Sequence, residues 1–474
     1  MVEPFEHQQE AVDYLKGKAS IGFWDDMGVG KTVEAIMIDQ IRRKQEWPNP
    51  KTLVVTIAGP TVDSWVRHFA LWSPELRVVA LDPKRREACW NEFINTDADV
   101  FIMHWDAVRL MPQLQRTVWL HIIGDEIHRI CGRSTAMTKS FKKIKGGFKT
   151  GLSGTPTTGA PHMLWSILNW MYPKVYTSYW RFFEEHIIWE MDKSGRYRKI
   201  IAINAEACER LQEEMSKFTV RRLLRDVRPN MPDRLPPEQI FVDLLPIQRK
   251  AYNQMRDDMI AWVDSKRMES GTDEITDPIV AQAAVSRLTR LLQFSCAYAR
   301  LEEVTVTRHS VQIVERHVRL SEPSSKLDAV MDTKIRPALE EGVKIVVFSD
   351  FRQLIELLNV RLEKENIPYA TIHGNIPQRD RNAEVQRFQV GNAMVCTITK
   401  AGGTGIDLFA GERIVLLSRD WSPGVNDQAI GRIDRIGQTK AIQVTDITAR
   451  HTIEGEKNRT VELKWSWMKK VLGS

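Results

Sequence analysis

The sequence has few cysteines and no apolar run long enough to cross a membrane. Its five cysteines are scattered over 474 residues without a CxxC pair, which argues against a disulfide framework or a zinc cluster. The longest apolar stretches, such as MLWSILNWMY at 163–172, fall short of the roughly 20 residues that a membrane helix needs. The acidic, polar start differs from a signal peptide. We therefore expect a protein of the reducing cytoplasm.

Neither sign of charge dominates the composition. The 67 Lys and Arg residues against 61 Asp and Glu residues give a net charge of +6. Such a mild positive balance is compatible with nucleic-acid binding without demonstrating it. The length allows two or three domains with ample hydrophobic core.

Short β-branched runs alternate with helical stretches in both halves of the chain, which predicts parallel sheets covered by helices on both faces. We therefore expect an α/β protein with two parallel-sheet lobes, residues 1–235 and 236–474. The strand signal fades at about 160–220 and 246–320, where we expect helical insertions. The proline-rich stretch 229–239 is the predicted linker between the lobes.

The first chemical motif is DDMGVGKT at 25–32. It departs from the phosphate-loop pattern GxxxxGK[ST] at one position, because Asp25 stands where the first glycine is expected. Gly28 and Gly30 still allow backbone N–H groups to curl around a phosphate. Lys31 is expected to reach the β- and γ-phosphates of ATP, and Thr32 to hold Mg²⁺. The alternative, a glycine-rich turn before a helix, does not explain the intact GKT.

The second motif is the acidic pair Asp125 and Glu126, which ends the apolar run VWLHIIG at 118–124. Carboxylates at the carboxyl end of a parallel strand face the crevice where ligands bind. Asp125 suits Mg²⁺, and Glu126 is placed to orient or deprotonate an attacking water. An isolated Asp-Glu pair is often a surface turn, so this hypothesis depends on the phosphate loop upstream.

Two arginines in the second half, Arg432 and Arg435, lie three residues apart and would share one face of a helix. An arginine presented across a domain interface can stabilise charge on a transferring phosphoryl group. From the residues alone, a solvated helix face explains them equally well.

Taken in order, these motifs resemble those of superfamily 2 helicases, and within them the Swi/Snf family of DNA translocases. The resemblance covers nearly the whole chain, and two departures from the family pattern stand out: Ile127 replaces the usual alanine, and Asp407 stands where many members have asparagine. The segments that carry it are PFEHQQEAV (4–12), DDMGVGKT (25–32), VTIAGPTVDSW (55–65), GDEIHR (124–129), LSGTPTTG (152–159), FTVRRLLRDV (218–227), SSKLDAVMD (324–332), VVFSDF (346–351), TKAGGTGIDL (399–408), SRDWSPGVNDQ (418–428) and QAIGRIDRIGQ (428–438).

The resemblance implies two RecA-like lobes of the P-loop NTPase fold and assigns roles to individual residues. Lys31, Asp125, Glu126, Arg432 and Arg435 are the expected catalytic residues, and Thr32 and Asp125 the expected metal ligands. The expected ATP-binding residues are Gln8, Met27, Gly28, Val29, Gly30, Lys31, Thr32 and Asp407. The residues expected to couple hydrolysis to movement are His128, Ser153, Thr155 and Gln428. The expected DNA contacts, largely through backbone amides, are Thr61, Trp105, Ser349, Lys400, Gly402 and Gly403.

The function expected from the resemblance is a DNA-stimulated ATPase that uses ATP and Mg²⁺ and moves along double-stranded DNA as a monomeric motor. The alternatives are a strand-separating or annealing helicase on forked or branched DNA, an RNA motor, and a binding protein with a degenerate ATP fold. The basic run KKIKGGFK at 142–149 is either a DNA contact or solvated surface.

Overall fold

The computed structural model describes residues 3–47, 50–81, 91, 93, 95–157, 159–191, 198–228, 231, 232, 234–270, 278–308, 311–400, 406–435 and 437–473. Its strands are β1 (Ser20–Phe23), β2 (Thr52–Thr56), β3 (Val78–Ala80), β4 (Val100–His104), β5 (Val118–Asp125), β6 (Lys145–Leu152), β7 (Ile187–Met191), β8 (Arg198–Ile203), β9 (Thr219–Val220), β10 (Glu238–Val242), β11 (Tyr298–Arg308), β12 (Val311–Ser321), β13 (Ile345–Ser349), β14 (Tyr369–Ile372), β15 (Val395–Thr399), β16 (Arg413–Leu416) and β17 (Gln443–Ala449).

The α-helices lie before, between and after these strands. Their bounds are Glu6–Leu15, Lys31–Arg43, Pro60–Trp72, Trp105–Val108, Ala136–Lys142, Trp165–Met171, Tyr179–His186, Ala205–Ser216, Leu224–Val227, Pro246–Ser270, Pro278–Cys296, Ser325–Val330, Arg336–Glu340, Arg352–Lys364, Gln378–Gln389, Pro423–Ile430 and Ile453–Leu472. Within the described ranges, no helix combines the length and the apolar composition needed to cross a membrane.

Two parallel sheets dominate the structure and confirm the predicted α/β fold. The first sheet has the order β3-β4-β2-β5-β6-β1-β9, and the second has the order β10-β17-β16-β13-β15-β14. Every pairing within both sheets is parallel. We propose that the two lobes divide near residue 235, between β9 of the first sheet and β10 of the second.

Both faces of each sheet are buried, which explains why the strand sequences are apolar without alternation. In β5, Ile122 packs into one hydrophobic cluster and Ile123 into another. In β13, Val346 and Val347 likewise belong to different clusters. Since successive side chains of a strand point to opposite faces, helices must cover each sheet on both sides.

The basic run at 142–149 forms part of a strand, because residues 145–149 belong to β6 inside the first sheet, while Lys143 and Lys145 remain exposed. Its two glycines are required by their neighbours. A Cβ at Gly146 would lie 2.7 Å from Cδ1 of Ile122, and a Cβ at Gly147 would lie 2.5 Å from the ring of Trp47. A run of lysine and glycine therefore forms a strand that β propensity does not indicate.

The segments expected to be helical insertions also contain two antiparallel hairpins. β7 pairs with β8, and β11 pairs with β12 over eleven residues each. The stretch VTVT at 304–307 in β11 alternates with the period of a strand, and this signal was missed.

The C-terminal helix, Ile453–Leu472, belongs to both lobes. Near its start, the buried carboxylate of Glu454 accepts a hydrogen bond from Lys326 Nζ at 2.8 Å within the second lobe. At its end, Val471 and Leu472 are buried in the hydrophobic core of the first lobe. This helix therefore ties the two lobes together by apolar packing as well as by chain connection.

Candidate nucleotide site between the two sheets

A cavity of about 500 Å³ lies where the two lobes face each other. Its wall brings together predicted residues from both halves of the sequence. Those from the first lobe are Met27, Gly28, Gly30, Lys31, Thr32, Thr61, Asp125 and Glu126, and those from the second are Asp407, Gln428, Arg432 and Arg435.

The phosphate loop connects β1 to the helix Lys31–Arg43. Gly28 and Gly30 have φ angles of 84° and 105°, a left-handed conformation that only glycine adopts freely. Lys31 Nζ donates to the carbonyl oxygens of Asp25 and Asp26 at 2.7 Å each. Burial lowers the pKa of Lys31, although the carboxylates of Asp25 and Glu126 oppose this effect. The loop, the helix N-terminus and the amine fit a polyphosphate.

Asp25, which replaces the expected glycine, has a specific partner in this structure. Its buried Oδ1 accepts hydrogen bonds from the backbone N–H of Arg222 at 2.7 Å and from the Arg222 side-chain Nε at 3.1 Å. The same guanidinium also pairs with the buried Glu34 and donates to the carbonyl of His7. Arg222 therefore joins the phosphate loop, the following helix and the N-terminal helix.

The acidic pair ends β5, as predicted. Asp125 Oδ2 accepts hydrogen bonds from Thr56 Oγ1 at 2.7 Å and from Trp65 Nε1 at 3.0 Å. Burial and the neighbouring charge of Glu126 raise the pKa of Asp125. Two adjacent half-buried carboxylates facing a lysine form a donor set that fits a hydrated divalent cation.

Glu126 has a φ of 52°, so the backbone turns sharply where the carboxylate enters the cavity. Its Oε2 lies 3.2 Å from His128 Nδ1, and its Oε1 accepts from Gln428 Nε2 at 3.5 Å. Burial alone would raise the pKa of Glu126, but the adjacent His128 and the charge of Lys31 lower it below its ordinary value. An ionised carboxylate held in this way can accept a proton.

The predicted coupling residues form a chain of contacts from the acidic pair to the second lobe. His128 Nδ1 also lies 3.1 Å from Ser153 Oγ, which accepts from the backbone N–H of Thr155 at 3.2 Å. Thr155 then packs against Gly424, where a Cβ would lie 2.7 Å from Thr155 Oγ1. These residues connect Glu126 to the lobe interface, first through polar contacts and then through the packing of Thr155 against Gly424.

The two arginines of the second lobe face the same cavity. Arg432 and Arg435 both donate to the carbonyl oxygen of Ile406, at 3.1 and 3.3 Å. Arg435 also forms an ion pair with Asp407. Burial and the nearby charge of Arg435 lower the pKa of Arg432 to about 10, so the guanidinium remains charged at neutral pH.

Of the predicted ATP-binding residues, Gln8 and Val29 do not line the cavity. Gln8 is 2% exposed; its Oε1 accepts from the N–H of Phe5 at 3.0 Å, and its Nε2 approaches the carbonyl of Gly30 at 3.4 Å. Val29 is buried. Gln8 supports the phosphate loop in this structure, and its predicted contact with adenine stays a prediction.

The expected DNA-contacting residues are dispersed. Thr61 lines the nucleotide cavity, and the indole of Trp105 is buried, donating to the carbonyl of Asp125 at 2.7 Å. Ser349 is also buried, and Lys400 pairs with Asp420 at 2.8 Å. Gly402 and Gly403 lie outside the described residues. A contact at Trp105 or Ser349 would therefore use the backbone.

Six cavity residues were missed by sequence reasoning. Two are Val33 and Ile57, and the other four are Ser64, Arg67, His68 and Leu71. All four lie on one side of the helix Pro60–Trp72, at the spacing of neighbouring turns. This spacing is visible in the sequence and would have identified them.

A cavity between two parallel sheets, with a phosphate loop on one side and arginines on the other, is the arrangement of a two-lobed P-loop nucleoside triphosphatase. Residues 7–296 match the model of the SNF2-related domain, and residues 325–437 match the helicase conserved C-terminal domain. The chain therefore belongs to the SNF2-related family, which confirms the resemblance to Swi/Snf proteins.

Relatives at low identity share nearly the full length of this chain. It is 25% identical over 442 residues to the SWI/SNF chromatin-remodeling complex subunit snf22 of Schizosaccharomyces pombe, covering 91% of this chain and 25% of that protein. It is 26% identical over 457 residues to an ATP-dependent helicase of Mycoplasma pneumoniae, covering 94% of this chain and 40% of that protein. The chain thus spans a quarter to two fifths of these relatives.

A solved structure, the Sulfolobus solfataricus SWI2/SNF2 ATPase core in complex with dsDNA, is similar with 21% identity and a TM-score of 0.44. The similarity covers 99% of this chain and 97% of that one.

Proposed function

We propose that this chain hydrolyses ATP with Mg²⁺ in the cavity between its lobes and moves along double-stranded DNA as a monomeric motor. The observation that carries the proposal is the convergence of Lys31, Glu126 and Arg432 on one cavity. They come from distant regions of the sequence and supply the three functions that phosphoryl transfer needs: phosphate binding, water activation and charge stabilisation.

In the first lobe, Lys31 would exchange its two carbonyl partners for phosphate oxygens. Thr32 and Asp125 would hold Mg²⁺, which supplies charge neutralisation at the phosphates. Glu126, ionised and oriented by His128, would position the attacking water and take its proton.

In the second lobe, Arg432 and Arg435 would stabilise the charge of the transition state, and Asp407 would contact the ribose. Gln428 would transmit a change in the position of Glu126 to the second lobe, since their side chains are 3.5 Å apart. Closure of the lobes during hydrolysis and their opening afterwards would move a bound duplex in steps.

DNA as the track is supported by the chromatin-remodeling name of a relative and by the net positive charge of the chain. Thr61, Trp105, Ser349, Lys400, Gly402 and Gly403 remain the proposed contacts. If they bind phosphate groups, binding should be insensitive to DNA sequence and should weaken as salt increases.

The test is the steady-state ATPase rate without nucleic acid and with single-stranded DNA, blunt duplex, forked DNA or RNA, each at two salt concentrations. We expect blunt duplex to stimulate most and salt to weaken the effect. Glu126→Gln should abolish turnover while ATP binding persists, and the surface variant Glu10→Gln should behave as wild type. Normal turnover by Glu126→Gln would refute the assigned base, and absence of stimulation by duplex would refute the DNA track.

Strand separation is the second candidate, and one observation favours it. The antiparallel hairpins β7–β8 and β11–β12 are elements of the kind that can wedge between the strands of a duplex. Release of a labelled strand from forked DNA during ATP hydrolysis would favour this function over translocation alone.

A further inference from the structure

The segment that follows the acidic pair is unusually basic. Residues 127–183 contain nine Lys and Arg residues and no Asp or Glu, although the whole chain has nearly equal numbers of both signs. Arg133, Lys139, Lys143 and Lys145 in this segment are exposed. Asp106, from outside the segment, pairs with Arg129 at 3.5 Å, and the other exposed cations favour a polyanionic ligand.

Aromatic rings and guanidinium groups alternate at the end of this segment. Arg133 Cζ lies 4.0 Å from the ring centroid of Tyr179, whose ring is 5.0 Å from that of Trp180. Arg198 Cζ lies 4.6 Å from the ring of Trp180 and 4.3 Å from that of Trp189. We name these five residues the aromatic–arginine row.

The row presents an aromatic surface to solvent. Trp180 is 51% exposed, so part of its ring surface is open to a ligand. Arg198 forms an ion pair with Glu184 at 3.1 Å, which favours its position against the rings of Trp180 and Trp189. A pre-positioned ring beside guanidinium groups can stack on a flat, electron-rich ligand at little entropic cost.

We propose that the aromatic–arginine row binds unpaired nucleobases of single-stranded nucleic acid. A base would stack on Trp180, while Arg133 and the exposed lysines nearby would contact the backbone phosphates. Duplex DNA does not fit this surface through base stacking, because its base faces are already stacked inside the helix. The acid-free stretch favours a nucleic acid over a protein partner. The proposal rests on the proposed DNA motor for its context and gives that motor a second contact, at the unpaired strand.

The experiment measures fluorescence anisotropy of labelled single-stranded DNA, RNA of the same sequence and blunt duplex DNA, without ATP. The variants are Trp180→Ala, Trp180→Phe and the control Phe241→Ala. Phe241 is a matched control because it is a 49% exposed aromatic ring with Arg450 Cζ 5.8 Å away, on the second lobe.

We expect Trp180→Ala to weaken single-strand binding roughly tenfold and to leave duplex binding and the melting temperature unchanged. Trp180→Phe should retain most of the affinity, since it keeps a ring. The difference between the DNA and RNA arms identifies the preferred strand, and either preference supports the stacking site.

Single-strand affinity unchanged by Trp180→Ala would overturn the proposal, as would an equal loss for duplex and single strand, which would indicate phosphate contacts alone. If Trp180→Ala instead abolishes only capture of a protein partner, the row is a protein interface and the proposal is wrong. Failure of the motor is seen separately, as absence of duplex-stimulated ATPase activity in the wild type.

Discussion

The stability of this protein should depend on pH through one buried carboxyl group, Glu34. Its side chain and that of Asp25 are fully buried and share the guanidinium of Arg222. Burial and the charge of Asp25 raise the pKa of Glu34 to about 8, even though Arg222 opposes this effect. In the folded protein Glu34 is therefore mostly protonated at neutral pH, whereas in the unfolded chain it ionises near its ordinary value of 4.5.

The sign and the size of the effect follow from proton linkage. The folded state binds the proton of Glu34 more tightly than the unfolded chain does. The contribution of this proton to the free energy of unfolding is therefore complete below about pH 4.5 and is lost as the pH rises towards 8. With one pKa unit equal to about 1.4 kcal/mol, raising the pH from 5.5 to 8.5 should lower the free energy of unfolding by about 3 kcal/mol. Glu34→Gln carries no proton to lose, so this contribution should vanish.

The assay compares melting temperatures of wild type, Glu34→Gln and the exposed control Glu10→Gln at pH 5.5, 7.0 and 8.5. At about 2–4 °C per kcal/mol for a lobe of this size, wild type should lose roughly 6–12 °C relative to Glu34→Gln across this range. Glu10→Gln should follow wild type. Parallel curves for wild type and Glu34→Gln would refute the reasoning, because they would show that Glu34 titrates alike in both states.

Three further substitutions test other regions of the structure. Gly30→Ala should abolish ATP binding, because φ is 105° and the new Cβ would clash with the side-chain amide of Gln8, whereas Gly17→Ala, which has open space, should bind nucleotide normally; wild-type affinity in Gly30→Ala would contradict the left-handed loop. Leu472→Ala should cost about 2–4 kcal/mol of stability, measured by urea denaturation, while Leu463→Ala on the exposed side of the same helix should cost little; equal effects would show that the helix end is not anchored in the first lobe. Lys326→Met should cost about 3–5 kcal/mol because it leaves the carboxylate of its partner buried without a counter-charge, and a melting temperature equal to that of wild type would contradict this ion pair.

Local patterns were sufficient to predict those regions of the site that follow directly from strand ends and helix starts. The phosphate loop and the acidic pair each join an apolar strand to a turn, so their positions at the sheet edge follow from the parallel fold. The strand β6 could not be predicted in this way, because Gly146 and Gly147 carry no β signal. Their presence is explained by the side chains of Ile122 and Trp47, which occupy the space that a Cβ would need, and those contacts exist only in the folded chain.

Asp25, which departs from the phosphate-loop pattern, depends on a partner that the motif itself does not identify. A carboxylate that is fully buried must be paired, since an uncompensated charge there would cost several kcal/mol. The partner is Arg222, 197 residues later in the chain, brought beside the loop because β9 pairs with β1. Arg222 also bonds Glu34, so removing its charge would leave the buried carboxylate of Asp25 uncompensated and the carboxyl group of Glu34 without this partner. The phosphate loop and the segment after β9 therefore form one structural unit, and a change in either should alter nucleotide binding through the other.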